Sequence, residues 1–200
     1  MEKASKEHRA EWELHVVAHS AGSIFATFAL DQLASLSDDG VQFKTLQFLA
    51  PAATVELFRE EIVPRVEARK CPPPTSYILS DPGELDDDVG PYGKSLLYLV
   101  SNAFERDRAT PLIGMEKFVR RTDKLKAADE DIAAFFARRD AGLPRLVVSG
   151  EASSKAKPGT ISRSDSHGGF DNDHDTLNSV LFRILGETPK RLFDIRDLQY

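Results

Sequence analysis

Trp12-Glu13-Leu14-His15-Val16-Val17-Ala18-His19-Ser20-Ala21-Gly22 opens with the pattern of a strand and closes with that of a helix start. Residues 12–18 are mostly apolar, with β-branched valines near the end, which predicts a short strand. From Ala21 to Leu36 the apolar residues Ile24, Phe25, Phe28, Leu33 and Leu36 recur at helical spacing. The turn cluster Ser37-Asp38-Asp39-Gly40 is the expected stop.

The same alternation continues downstream. Strands are expected at 43–49, 76–80 and 145–149, and helices at 55–68, 96–104, 127–139 and 176–185. Pro64 should kink or interrupt the first of these helices. An acidic, turn-rich loop is expected at 81–91 and a long polar surface loop at 151–166. Strands alternating with helices imply right-handed crossovers and a mainly parallel sheet of about four strands. No internal repeat or domain boundary stands out, so residues 1–200 read as a single α/β domain.

Composition narrows the possible functions. With 41% hydrophobic and 29% charged residues the chain is ordinary for a soluble globular protein. A net charge of −6 leaves no basic field to hold nucleic acid or an anionic membrane surface. No apolar run is long enough to span a bilayer, and the charged first residues do not form a signal peptide. Cys71 is the single cysteine, which forbids an intrachain disulfide and makes a cytoplasmic location the default expectation.

Ala18-His19-Ser20-Ala21-Gly22 carries the chemistry. A serine on a tight strand-to-helix turn is held in a strained conformation with its Oγ exposed at the positive end of the helix. Small residues two before and two after it, here Ala18 and Gly22, keep strand and helix from colliding. The N–H of Ala21 is then the expected backbone donor to a developing oxyanion. Alanine stands at 18 where glycine is commoner, and it is small enough to meet the steric need.

Such a nucleophile needs a base and an acid, which in the fold built on this kind of elbow come in the chain order serine, acid, histidine. His167 and His174 follow the last predicted strand. His167, in Ser166-His167-Gly168-Gly169, sits on a loop whose glycines allow close approach, and is the expected base. His174 is second, with a capping or solvated role, while His15 and His19 read as structural and His8 precedes any ordered pattern. The acid is expected in the loop after the third strand. Its several aspartates are not separated by pattern alone; Asp86, three residues before Val89, and Asp81, directly off the strand, are the candidates. Asp171-x-Asp173-x-Asp175 begins like a calcium loop, but Thr176 stands in place of the turn glycine and Phe182 in place of the closing glutamate. Helix capping is the expected role of those aspartates, and no metal or cofactor is expected.

Taken together these residues resemble the α/β-hydrolase superfamily in its esterase and lipase-like branch. The resemblance runs from the strand before Ser20 to the helix after His167, anchored on Ala18-His19-Ser20-Ala21-Gly22, Asp86-Asp87-Asp88-Val89 and Ser166-His167-Gly168-Gly169. The stretch 93–101 is similar to a subgroup of uncharacterised hydrolases. The resemblance implies a Ser20–His167–Asp86 triad acting on a small-molecule ester through an acyl-enzyme. It also implies that the fold is truncated at its N-terminus, because in that family four strands precede the elbow strand and one of their loops gives a second oxyanion donor. The first strand would then be a bare edge, inviting a second copy or a missing N-terminal segment. The alternative expectation is a catalytically impaired domain serving dimerisation or partner binding.

Overall fold

Four parallel strands, β1 (Trp12–His19), β2 (Val41–Leu49), β3 (Thr75–Ile78) and β6 (Leu146–Val148), lie side by side in that order. The computed structural model describes residues 12–36, 40–153 and 155–198. The helix stop expected at Ser37-Asp38-Asp39, and the readings made on Met1 to Glu11 and His8, lie outside those residues.

Helices fill the connections. α1 (Gly22–Ser35) follows β1, and α2 (Val55–Leu57) and α3 (Val63–Glu67) follow β2. A π-helical turn over Phe58–Ile62 joins α2 to α3 directly ahead of Pro64, so the predicted interruption is a local widening of the helix. After β3 come α4 (Asp81–Asp86), α5 (Leu96–Leu99), α6 (Glu116–Val119) and α7 (Glu130–Ala137). A two-stranded antiparallel hairpin, β4 (Arg139–Asp140) with β5 (Leu143–Pro144), precedes β6, and α8 (His174–Leu185) closes the described fold. A mostly parallel four-stranded sheet with flanking helices is an α/β architecture, as the alternation predicted.

Two packing clusters hold the helices to the sheet. One joins α1, the α2–α3 helix and α7 to it, centred on Leu30, Phe48, Phe58 and Ile78, with Phe58 edge-on to Phe135 at 5.1 Å. The other packs Phe170 and Val180 against Leu49, Tyr77, Leu79 and Val147. Phe170 is fully buried three residues after His167, so the core itself anchors that loop.

Two expectations need correction. The acidic stretch after β3 is not all loop: its first six residues form α4, with the Ser80 side chain accepting from the Gly83 N–H and Pro82 in the first turn. The 151–166 stretch is not wholly a surface loop either. Ser162 and Ser164 are buried, and Ser162 Oγ stands 2.7 Å from Thr176 Oγ1 on α8.

β1 ends the sheet, so among the described residues its outer edge has no strand partner. Trp12 and Val17 of β1 and Phe25 and Phe28 of α1 are exposed. No helix among the described residues is long and apolar enough to cross a membrane.

Candidate functional site

Ser20 follows the last residue of β1 and has φ 51°, a left-handed conformation that a non-glycine residue rarely adopts. Three hydrogen bonds hold the Ser20 carbonyl there. The Ser23 N–H donates at 3.0 Å, the Ala52 N–H at 3.1 Å and the Ser23 hydroxyl at 2.7 Å. The Ser20 N–H in turn donates to Leu49 O at 2.9 Å. Ser23, fully buried, also accepts from the Ala53 N–H at 3.1 Å, so one hydroxyl ties the start of α1 to the turn after β2. That turn is itself unusual, with Ala50 at φ 42°. Sequence reasoning missed Ser23, although a serine one helical step after the elbow was visible.

Across the site, His167 opens a single 3₁₀ turn, His167–Gly169, ahead of α8. Its Nε2 stands 2.9 Å from Ser20 Oγ, across 147 positions of chain. Of the two glycines expected to allow close approach, Gly169 does so. A Cβ there would meet Ser166 Oγ at 2.8 Å and Ser164 Oγ at 2.9 Å, whereas one at Gly168 would meet nothing within 4 Å.

Two further groups grip the His167 peptide. Asp87 Oδ2 accepts its N–H at 2.9 Å, and His19 Nε2 lies 2.9 Å from its carbonyl oxygen. His19 is therefore part of the site and not merely a strand residue. His15, by contrast, stays on the strand with Nδ1 3.0 Å from Thr45 Oγ1.

The expected acids sit elsewhere. Asp86 is exposed at the end of α4 and makes no bond to His167, whose buried Nδ1 has no hydrogen-bond partner among the described residues. Asp81 is committed to other groups: its carboxylate accepts from Tyr98 Oη at 2.9 Å, and its N–H donates to Glu116 Oε2 at 2.8 Å. The physical reason is where α4 ends. Asp87 is its C-cap and leaves the helix in an extended conformation (φ −68°, ψ 158°), and it is this residue that reaches the His167 peptide.

Burial, together with the nearby His19, lowers the His167 pKa to about 4, so the ring is neutral at pH 7. A neutral imidazole beside a hydroxyl can take its proton. Ala21 precedes the first turn of α1, is exposed, and among the described residues its N–H meets no acceptor. A serine hydroxyl, a neutral imidazole and a backbone N–H without an acceptor among the described residues thus occur together.

Other clusters have other duties. Asp173, His174 and Asp175 bring donor atoms within 4.8 Å of one another. Yet Asp173 caps α8 by accepting from the N–H groups of Asp175 and Thr176, and Asp175 pairs with Arg163 at 2.7 Å. A groove of about 540 Å³ between α6, α7 and β6 is lined by Phe136, Leu146 and Val148 with Arg120, and includes neither Ser20 nor His167. No protein-family model, curated protein or solved structure matches this chain.

Proposed function

We propose that Ser20 and His167 form the reacting pair of a serine hydrolase acting on small ester substrates. The observation that carries this reading is the 2.9 Å contact between Ser20 Oγ and a neutral His167 Nε2, on a serine held at φ 51° between strand and helix. Ser20 Oγ attacks the ester carbonyl carbon while His167 Nε2 takes the hydroxyl proton. The carbonyl π electrons move to oxygen, which the Ala21 N–H at the start of α1 is placed to meet. Collapse of that intermediate breaks the ester C–O bond, and His167 returns its proton to the departing alkoxide. Water, deprotonated by His167, then cleaves the acyl-serine and restores Ser20. Asp87, already on the His167 peptide, is the carboxylate this reading assigns to the developing imidazolium; Asp86 is one residue out of place for it.

Ester rather than amide chemistry rests on the resemblance of the elbow, the acid loop and the histidine loop to esterases. The test is labelling with a fluorophosphonate, in which Ser20 Oγ bonds to phosphorus and fluoride leaves. The wild-type chain should label, and Ser20→Ala should reduce labelling to background. A folded wild-type chain that stays unlabelled would sink the reading.

A second reading has its own observation. Among the described residues the outer edge of β1 is unpaired, and Trp12 and Val17 of β1 and Phe25 and Phe28 of α1 are exposed, which suits a domain that pairs with a second copy or another polypeptide segment. Sedimentation equilibrium separates these cases: a concentration-dependent dimer supports the second copy, and a monomer removes it.

A further inference from the structure

The peptide of His167 is held from both sides, and the two holds differ in kind. Asp87 approaches from the acid loop, while His19 approaches from the residue immediately before Ser20. A carbonyl oxygen can only accept, so a hydrogen bond between His19 Nε2 and His167 O requires the proton on Nε2 of His19. In the neutral ring Nδ1 is then bare, and it faces the Asp171 carboxylate at 3.9 Å. The two imidazole rings lie tilted, with centroids 5.4 Å apart. His19 thus joins the end of β1 to the loop that delivers the base, and Asp171, four residues beyond His167, flanks it on the other side.

We infer that His19 is a positioning residue: its Nε2–H donates to the His167 carbonyl and sets the distance at which the His167 ring meets Ser20 Oγ. The inference rests on the hydrolase reading for its kinetic consequence, and on the geometry alone for its structural one. Ser20 and its positioning group are consecutive in the chain, so any shift of the elbow carries the His167 peptide with it. Among the described residues, Asp171 and Asp87 are the two carboxylates that approach this pair of histidines.

The experiment compares wild type with H19Q, which keeps an N–H donor at similar reach, and H19L, which has none. With the fluorophosphonate, H19Q should label within about threefold of wild type, and H19L about 3- to 10-fold more slowly, the worth of one neutral hydrogen bond. With a chromogenic ester, the H19L loss should fall on kcat and leave KM unchanged. Equal rates for wild type and H19L, or equal losses in both variants, would overturn the inference. Nitrogen-15 NMR of the histidine rings decides independently of turnover. His19 should be the Nε2–H tautomer in the folded wild-type chain. If wild type does not label, the hydrolase reading fails and the NMR arm alone judges His19. A His19 found as the Nδ1–H tautomer overturns it there. Circular dichroism of both variants confirms that the fold is intact.

Discussion

Two buried polar regions meet near His167, and they are built on different principles. At the elbow, Ser20, Ser23 and the turn after β2 exchange short-range backbone hydrogen bonds, and each buried hydroxyl there has a partner. At the acid side, Glu84 of α4 is fully buried, with Oε2 on the Ser95 hydroxyl and Oε1 without a partner. Asp81, Tyr98 and Lys117 surround it, with the Lys117 ammonium 4.1 Å above the Tyr98 ring. The elbow is ordered by backbone geometry, which does not titrate. The acid side is ordered by burial of side chains, and burial moves their proton equilibria.

The sharpest test of that contrast is the pH dependence of stability. Burial raises the Glu84 carboxyl from its ordinary 4.5 to about 7, opposed by the Ser95 hydrogen bond and reinforced by Asp87 and Asp81. Between those values the folded chain keeps a proton that the unfolded chain releases, so stability falls as pH rises. His167 does the reverse. Its pKa drops from 6.5 to about 4, so in that window the unfolded chain takes up a proton that the folded chain refuses, and stability falls as pH falls. Each group contributes a slope of about 1.4 kcal/mol per pH unit, of opposite sign, and the two offset one another from about pH 4.5 to 6.5. Urea unfolding across that range should separate them. Relative to wild type, Glu84→Gln should make stability climb with pH, and His167→Gln should make it fall, each by about 3 kcal/mol over the window. A Glu84→Gln profile parallel to wild type would show that the acid-side carboxyl is not held protonated by burial.

Ser23→Ala probes the other region and should have a smaller effect. It leaves the Ala53 N–H without its acceptor and removes one of three donors to the Ser20 carbonyl. Loss of that buried pairing should cost about 1–3 kcal/mol in chemical denaturation. The cost should be independent of pH between 4.5 and 6.5, unlike that of Glu84→Gln. A pH-dependent loss would mean that the elbow and the acid side are coupled and the contrast between them is false.

The same contrast explains what could be read from the chain. The elbow was legible because a small-x-Ser-x-small pentapeptide lies between a strand pattern and a helix pattern, and everything that shapes it is local. His167 was legible by order along the chain and by Gly169, whose missing Cβ leaves room for Ser164 and Ser166. The carboxylate that meets the His167 peptide was not. Asp86, Asp87 and Asp88 are chemically alike, and which one turns toward His167 depends on whether α4 ends one residue earlier or later. α4 itself was hidden because Asp81, Pro82 and Gly83 read as turn residues, although Ser80 followed by a first-turn proline is also a helix start. His19 was missed for a different reason: its partner is 148 positions away, and no local pattern encodes that contact.

Gly22 offers the finest test of how far the elbow depends on sterics. The expected need for a small residue at 22 was that strand and helix would otherwise collide. A Cβ built there would lie 3.6 Å from Ala18 Cβ, which is ordinary van der Waals contact, with no other atom within 4 Å. Ala18 is where that pressure is shared: with a larger side chain at 18, the same Cβ at 22 would have no room. Gly22 is also the first residue of α1, where alanine is the better helix former. Gly22→Ala should therefore change stability by less than about 0.5 kcal/mol, and in the favourable direction if the backbone stays as it is. It should also leave fluorophosphonate labelling of Ser20 within about twofold of wild type. A loss above about 1 kcal/mol would show that the elbow closes more tightly on Ala18 than a 3.6 Å contact allows. The double substitution Ala18→Val with Gly22→Ala should then lose far more than the sum of its parts, because the two side chains would compete for one space.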